Sequence, residues 1–126
     1  MGAFSLLRLI RRARNTTRNT ILASRCGVAD NFFSRAFGLI PRSRLPEGEG
    51  LLITKTSSIT MWLMRFPIDA VFIDRAGRVV RVAADIPPWR FAIAARGARD
   101  VLELPAGTAA RTGTQVGDEL SFEPAG

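Results

Sequence analysis

Histidine and tyrosine are absent from this 126-residue chain, and cysteine occurs once. Without histidine there is no imidazole to shuttle protons near neutral pH, and the commonest metal ligand is missing. Carboxylates, the Cys26 thiol and one lysine, Lys55, remain for proton chemistry. A single cysteine cannot close an internal disulfide, which fits a reducing compartment. Cys26 itself reads as a small residue on a strand. No apolar run approaches the roughly 20 residues that a bilayer-crossing helix needs. No nucleophile–base set, metal-ligand cluster or phosphate loop is visible, so neither metal nor cofactor is expected.

What is present is apolar and basic. Hydrophobic residues make up 47% of the chain, enough for one globular domain with a real core. The net charge of +7 is unevenly spread. Residues 1–29 carry six arginines and no acid, whereas residues 30–126 hold 12 basic and 11 acidic side chains. The body of the chain is therefore almost neutral. A specific nucleic-acid-binding surface, which needs a basic stripe across the fold, is not expected.

The basic leader has its own pattern. On a helical wheel Leu6, Leu7, Leu9, Ile10 and Ala13 share one side, and Arg8, Arg11 and Arg12 the other. Residues 1–19 are accordingly set apart as an arm before a single domain over 20–124. The arm is either a frayed terminus or packing helix, or a peripheral contact with anionic lipid made through Leu6, Arg8, Leu9, Ile10, Arg11 and Arg12. Its apolar stretch is short and its charges follow rather than precede it, unlike a secretory signal. The expected location is the cytoplasm, with the arm as a route to a membrane surface.

Beyond the arm, short apolar runs alternate with turn residues. Strands are predicted over 20–26, 51–54, 58–64, 68–74, 78–85, 91–95, 101–104 and 119–123. A helix is predicted after Asp30, where Phe33 and Phe37 lie one turn apart, and a turn or two over 108–112. Arg75-Ala76-Gly77 reads as the turn of a hairpin, with Asp74 preceding it as a turn residue. Pro87 and Pro88 end a strand and leave Trp89 as the best candidate for an exposed aromatic. The fold class is mainly β, at the margin of α+β. It is a small barrel or sandwich of about seven or eight short strands with one or two short helices.

The chemistry-bearing run is Met61 to Val82. Arg65 and Asp69 flank the Phe66-Pro67 step, where proline fixes the backbone. A guanidinium–carboxylate pair at the rim of a cleft would hold a polar or anionic ligand, while the structural alternative is a bridge pinning the turn. Trp62 and Met64 stand beside the pair with Met61 and Phe66, and Arg35 and Glu103 are further candidates for the same groove. Glu103 on its strand is either an inward carboxylate or, as expected, a residue at a water-exposed edge. Asp69 and Asp74 are five apart on one extended run and so face opposite ways, which argues against paired-carboxylate hydrolysis. Lys55 beside Ser57, Ser58 and Thr60 is a weak basis for an activated serine.

Four ordered blocks carry a resemblance. Arg35 to Leu39, Glu49 to Leu52, Met64 to Phe72, and Leu102 to Gly107 with Gly117-Asp118 are together similar to the uncharacterised family called domain of unknown function 192. The resemblance covers about residues 20–122. It implies a compact, mainly β fold with a small helix, widespread in bacteria and archaea, and no established reaction. Many relatives carry a Ser-Ile-His-Thr-like segment where this chain has Ser58-Ile59-Thr60-Met61, so Thr60 stands in place of a histidine.

These observations lead to an expected non-catalytic binding or interaction module. Its groove would lie around Arg65 and Asp69 and take a small polar ligand or a peptide. The alternatives are a hydrolase using Asp69 as general base with Arg65 stabilising negative charge, and a membrane-surface accessory acting through the arm.

Overall fold

The computed structural model describes residues 9–29, 45–61, 65–90 and 92–124. Among them are nine strands and one short helix: β1 (Leu9–Asn15), β2 (Thr20–Ala29), β3 (Glu49–Ile53), β4 (Ser58–Thr60), β5 (Ile68–Ile73), β6 (Val79–Ile86), β7 (Ala92–Ala94), β8 (Asp100–Pro105), α1 (Thr108–Thr112) and β9 (Leu120–Pro124). The mainly β prediction holds, and each strand predicted after residue 20 has an observed counterpart; the one predicted over 58–64 ends at Thr60, with residues 62–64 outside the described residues. The helix predicted after Asp30 lies outside the described residues.

Seven strands form one sheet in the order β6-β5-β8-β3-β2-β1-β9, and β4 and β7 form a separate pair. The pairings in the large sheet are antiparallel except for β2 with β3. The sheet curls into a half-barrel. Its two edge strands meet at one corner through the Arg78–Glu119 bridge, where Val79 N–H donates to Asp118 O and Gly117 N–H to Val79 O, each at 2.8 Å. Curling removes part of the exposed edge that a flat sheet would offer to other chains.

The central strands of the sheet are buried on both faces, which explains why all six residues of β5 are buried and apolar save one. On the inner side Leu22, Ala23, Cys26, Leu52, Val71, Leu102, Leu104 and, from the two edges, Val79 and Leu120 form one core. On the other side Leu51, Ile53, Ala70, Phe72 and Val101 pack with Met61, Phe66 and, from the β4–β7 pair, Ile59 and Ile93. Met61 and Phe66 thus fill the interior, and Trp89 is 81% exposed after its two prolines. Cys26 is fully buried, and burial pushes its thiol up to about 12, against a smaller opposing effect of a backbone hydrogen bond with Leu52. It behaves as a small core residue.

The amphipathic-helix expectation is corrected over residues 9–13, which belong to β1. This strand pairs with β2 on one side and β9 on the other. Ala13 and Asn15 are completely buried, whereas Arg12 is exposed and pairs with Glu123 at 2.9 Å. Arginines and apolar residues three or four apart suit a helical wheel, but two flanking strands offer the backbone a full ladder of partners. Leu6 and Arg8 lie outside the described residues, and Arg11 is half-buried. The sheet therefore begins well before residue 20.

A buried polar knot fixes β1 to the loop before β9. The Asn15 amide donates to Asp118 Oδ2 at 3.0 Å and to Thr114 Oγ1 at 3.2 Å, and Arg18 Nε reaches the same Asp118 oxygen at 3.1 Å. Burial favours the neutral Asp118 carboxyl. Hydrogen bonds from Arg18, Asn15 and the Gln115 N–H, with the Arg18 charge, outweigh it and hold Asp118 below its ordinary value.

The β5–β6 hairpin forms as predicted. Asp74 Oδ1 accepts from Ala76 N–H and Arg78 N–H, each at 2.9 Å, and Gly77 adopts φ 85°. A Cβ on Gly77 would lie 2.9 Å from the Leu120 carbonyl oxygen. Gly77→Ala combines a strained left-handed φ with this clash. It should destabilise the protein by about 1–3 kcal/mol in urea unfolding; an unchanged midpoint would contradict the contact.

Candidate functional site

Asp69 and Glu103 sit on neighbouring central strands, and the register sends them to opposite faces. Asp69 is opposite Leu104, while Glu103 is opposite Ala70 on one side and Leu51 on the other. Leu104 belongs to the inner core, and Ala70 and Leu51 to the other. The two carboxyl groups therefore cannot share one ligand.

Asp69 is completely buried and its carboxylate is occupied by backbone amides. Oδ1 accepts from Asp85 N–H at 2.8 Å, and Oδ2 accepts from Gly107 N–H at 3.1 Å and Ala109 N–H at 2.8 Å. Each bond answers a local deficit. Between the Ile68–Ile86 and Ala70–Ala83 pairs the register shifts, so β6 bulges, and Asp85 within the bulge has φ 52°. The bulge frees a ladder amide, and Asp69 takes it. Helix α1 starts at Gly107 without a side-chain cap of its own, and Asp69 takes two of its unpaired N–H groups from across the fold.

Arg65 is exposed and is not among the partners of Asp69. The predicted guanidinium–carboxylate pair is thus not formed. With no exposed surface and its oxygens filled by amides, Asp69 does not reach a substrate as a general base. Trp62, Met64 and Arg35, expected in the same groove, lie outside the described residues.

Glu103 differs from its expected edge position. It lies on β8, between β5 and β3, and is 6% exposed. Burial pushes its carboxyl up to about 8, so it is neutral over most of the physiological range. Among the described residues no side chain or backbone amide is hydrogen-bonded to it. The cross-strand row through it reads Gly27, Leu51, Glu103, Ala70 and Ala83. Three small residues in that row keep the sheet low around the carboxyl. Alternation along β8 had the information to place Glu103 on a buried face, which it shares with Val101; what was missing was the strand order that makes β8 central.

The comparisons with known proteins follow the same outline. The family model DUF192, described as "Uncharacterized ACR", matches residues 13–122, and the chain belongs to this family. A UPF0127 protein of Thermococcus sibiricus is 29% identical over 113 residues, covering 86% of this chain and 73% of that one. A UPF0127 protein of Pyrococcus horikoshii is 32% identical over 111 residues, covering 86% and 96%. A solved protein of unknown function from Novosphingobium aromaticivorans superposes with a TM-score of 0.77 at 26% identity, covering 89% of this chain and 83% of that one. A Sinorhizobium meliloti structure, described as a candidate transcription regulator, gives 0.76 at 27%, covering 92% and 95%.

The contrast between Asp69 and Arg65 is measurable. Asp69→Ala leaves three backbone amides without their acceptor and should cost on the order of 3 kcal/mol in chemical denaturation, whereas Arg65→Ala should stay within about 0.5 kcal/mol of the parent. Glu103 predicts a pH dependence of the opposite sign to that of a paired carboxylate. Its carboxyl is raised from 4.5 to about 8, so the folded state holds a proton that the unfolded state releases. Its contribution is fully present below about pH 4.5 and is lost as pH rises to about 8, by at most about 5 kcal/mol. Glu103→Gln should remove that slope and exceed the parent in stability at pH 8.5; identical pH profiles for the two proteins would refute the assignment.

Proposed function

We propose that this member of the DUF192 family is a non-catalytic binding module whose ligand-recognising group is Glu103. The ligand is small, polar and uncharged, with a hydroxyl or amide to pair with a neutral carboxyl. The observation that carries this reading is a carboxyl at the centre of the sheet, 6% exposed, to which no described residue is hydrogen-bonded. With 6% of its surface still exposed and no hydrogen bond from a described residue, the carboxyl is free to pair with an incoming group. A ligand that both accepts from and donates to it would use both of its oxygens. Leu51, Ala70 and Phe72 would provide the apolar wall that strengthens such a bond.

The groove expected around Arg65 and Asp69 is less well supported, because the two side chains do not pair and Asp69 is committed to the backbone. The transcription-regulator description of the Sinorhizobium structure would require a basic face matched to DNA phosphates. Here Arg12, Arg18, Arg78 and Arg111 are each paired with an acid, which leaves little support for that reading.

The test is a thermal-shift panel of neutral sugars, amides and nucleosides at pH 6.5, followed by calorimetric titration of any hit. Glu103→Leu should weaken binding at least about 10-fold, the worth of one good hydrogen bond, and Glu103→Gln by much less. Binding should also fade above about pH 8, where the carboxyl ionises. A panel in which no compound stabilises the parent more than Glu103→Leu would overturn the proposal.

A further inference from the structure

The geometry points to a second site, an anion-binding hollow that takes a phosphate monoester between Lys55, Arg75 and Arg99. The hollow has a volume of about 460 Å³ and is lined by these three cations with Thr56, Ser57 and Ala98. It is independent of Glu103, since its walls are three connections and not a sheet face: the β3–β4 link, the β5–β6 turn and the β7–β8 link.

Backbone bonds hold the three walls together. Thr56 N–H donates to Arg99 O at 2.8 Å, and Arg99 N–H to Ile73 O at 2.7 Å. Lys55 N–H donates to Asp100 Oδ1 at 3.0 Å, and Lys55 has φ 59°, a left-handed conformation uncommon for lysine. Strain of this kind is kept where the surroundings enforce it, and here it accompanies a residue that faces the hollow. The cations are thus carried on braced segments, which lowers the ordering cost of binding.

Charge is the second argument. Among the described residues none of the three cations forms an ion pair, unlike Arg12, Arg18, Arg78 and Arg111. The nearby acids do not line the hollow: Asp100 accepts from the Lys55 amide, and Asp74 from the amides of its own turn. Thr56 Oγ1 is turned to the Ser58 backbone, while the exposed Ser57 hydroxyl has no partner among the described residues. Two guanidinium groups, an ammonium and a hydroxyl offer more donors than one carboxylate can use. They suit the several oxygens and double charge of a phosphate monoester.

Calorimetric titration of the full chain with inorganic phosphate and with phenyl phosphate tests the site directly. Flotation with phosphatidylcholine vesicles, with and without phosphatidic acid, distinguishes a lipid headgroup from a soluble source. The expected result is saturable binding of phosphate or of the phosphatidic acid vesicles that weakens steeply with salt. The Lys55→Gln, Arg75→Ala double variant should lose at least about 10-fold in affinity, while Arg75→Lys and the distant Arg111→Ala retain most of it. Lys55 and Arg75 are exposed, so the double variant should keep the parent's circular dichroism and melting curve. Glu103→Leu should leave phosphate binding unchanged. Failure of every phosphate probe to bind, or equal affinity in the double variant, would overturn the inference.

Discussion

The Asp69 carboxylate joins three parts of the fold that would otherwise lack a common anchor. It comes from β5, receives the amide set free by the bulge in β6, and receives two amides at the start of α1. A helix of five residues is far below the length at which helices persist in water, and α1 has no side-chain cap of its own. Its position against the sheet depends on partners supplied from outside. A buried carboxylate is costly in isolation, but hydrogen bonds from backbone amides are among the strongest compensations a protein can offer. The same bonds that make Asp69 tolerable in the core use up its chemical capacity.

One residue of register separates this outcome from that of Glu103. Both carboxyl groups lie on central strands of the same sheet, and both are buried. Asp69 meets amides that its own neighbourhood leaves unpaired. Glu103 meets an apolar layer and, among the described residues, no donor at all. The fold therefore keeps the first carboxyl bound to the backbone and the second as a neutral acid that can still donate and accept. Residue type says nothing about this difference, because the environment of each group sets it.

Much of the architecture was legible in local sequence. The hairpin after Asp69 follows from Asp74 and Gly77, whose turn chemistry acts within four residues. Most strand predictions after residue 20 rest on equally local alternation of apolar and polar positions. Features fixed by distant partners were not legible. β1 looks helical until β9, more than 100 residues away, is known to pair with it, and Asn15 is buried because Asp118 receives its amide. The Arg65–Asp69 spacing suggested a pair, but the β6 bulge and α1, neither implied by residues 65–69, claimed the carboxylate. Glu103 was misplaced for a related reason: its side-chain direction follows from alternation, yet whether β8 lies at an edge or at the centre depends on the whole strand order.

Strand order also decides where part of the chain's net charge of +7 is offset. Where the curled sheet brings its edge strands together Arg78 meets Glu119, and between the neighbouring strands β1 and β9 Arg12 meets Glu123. Arg18 is drawn into the buried knot on Asp118. Exposed pairs of this kind add little to stability, but they cancel local potential. Lys55, Arg75 and Arg99 have no acid partner among the described residues, so the hollow between them keeps a positive potential that favours an anion. Closure of the sheet thus governs charge as well as burial, and it reaches residues that no local pattern relates to one another.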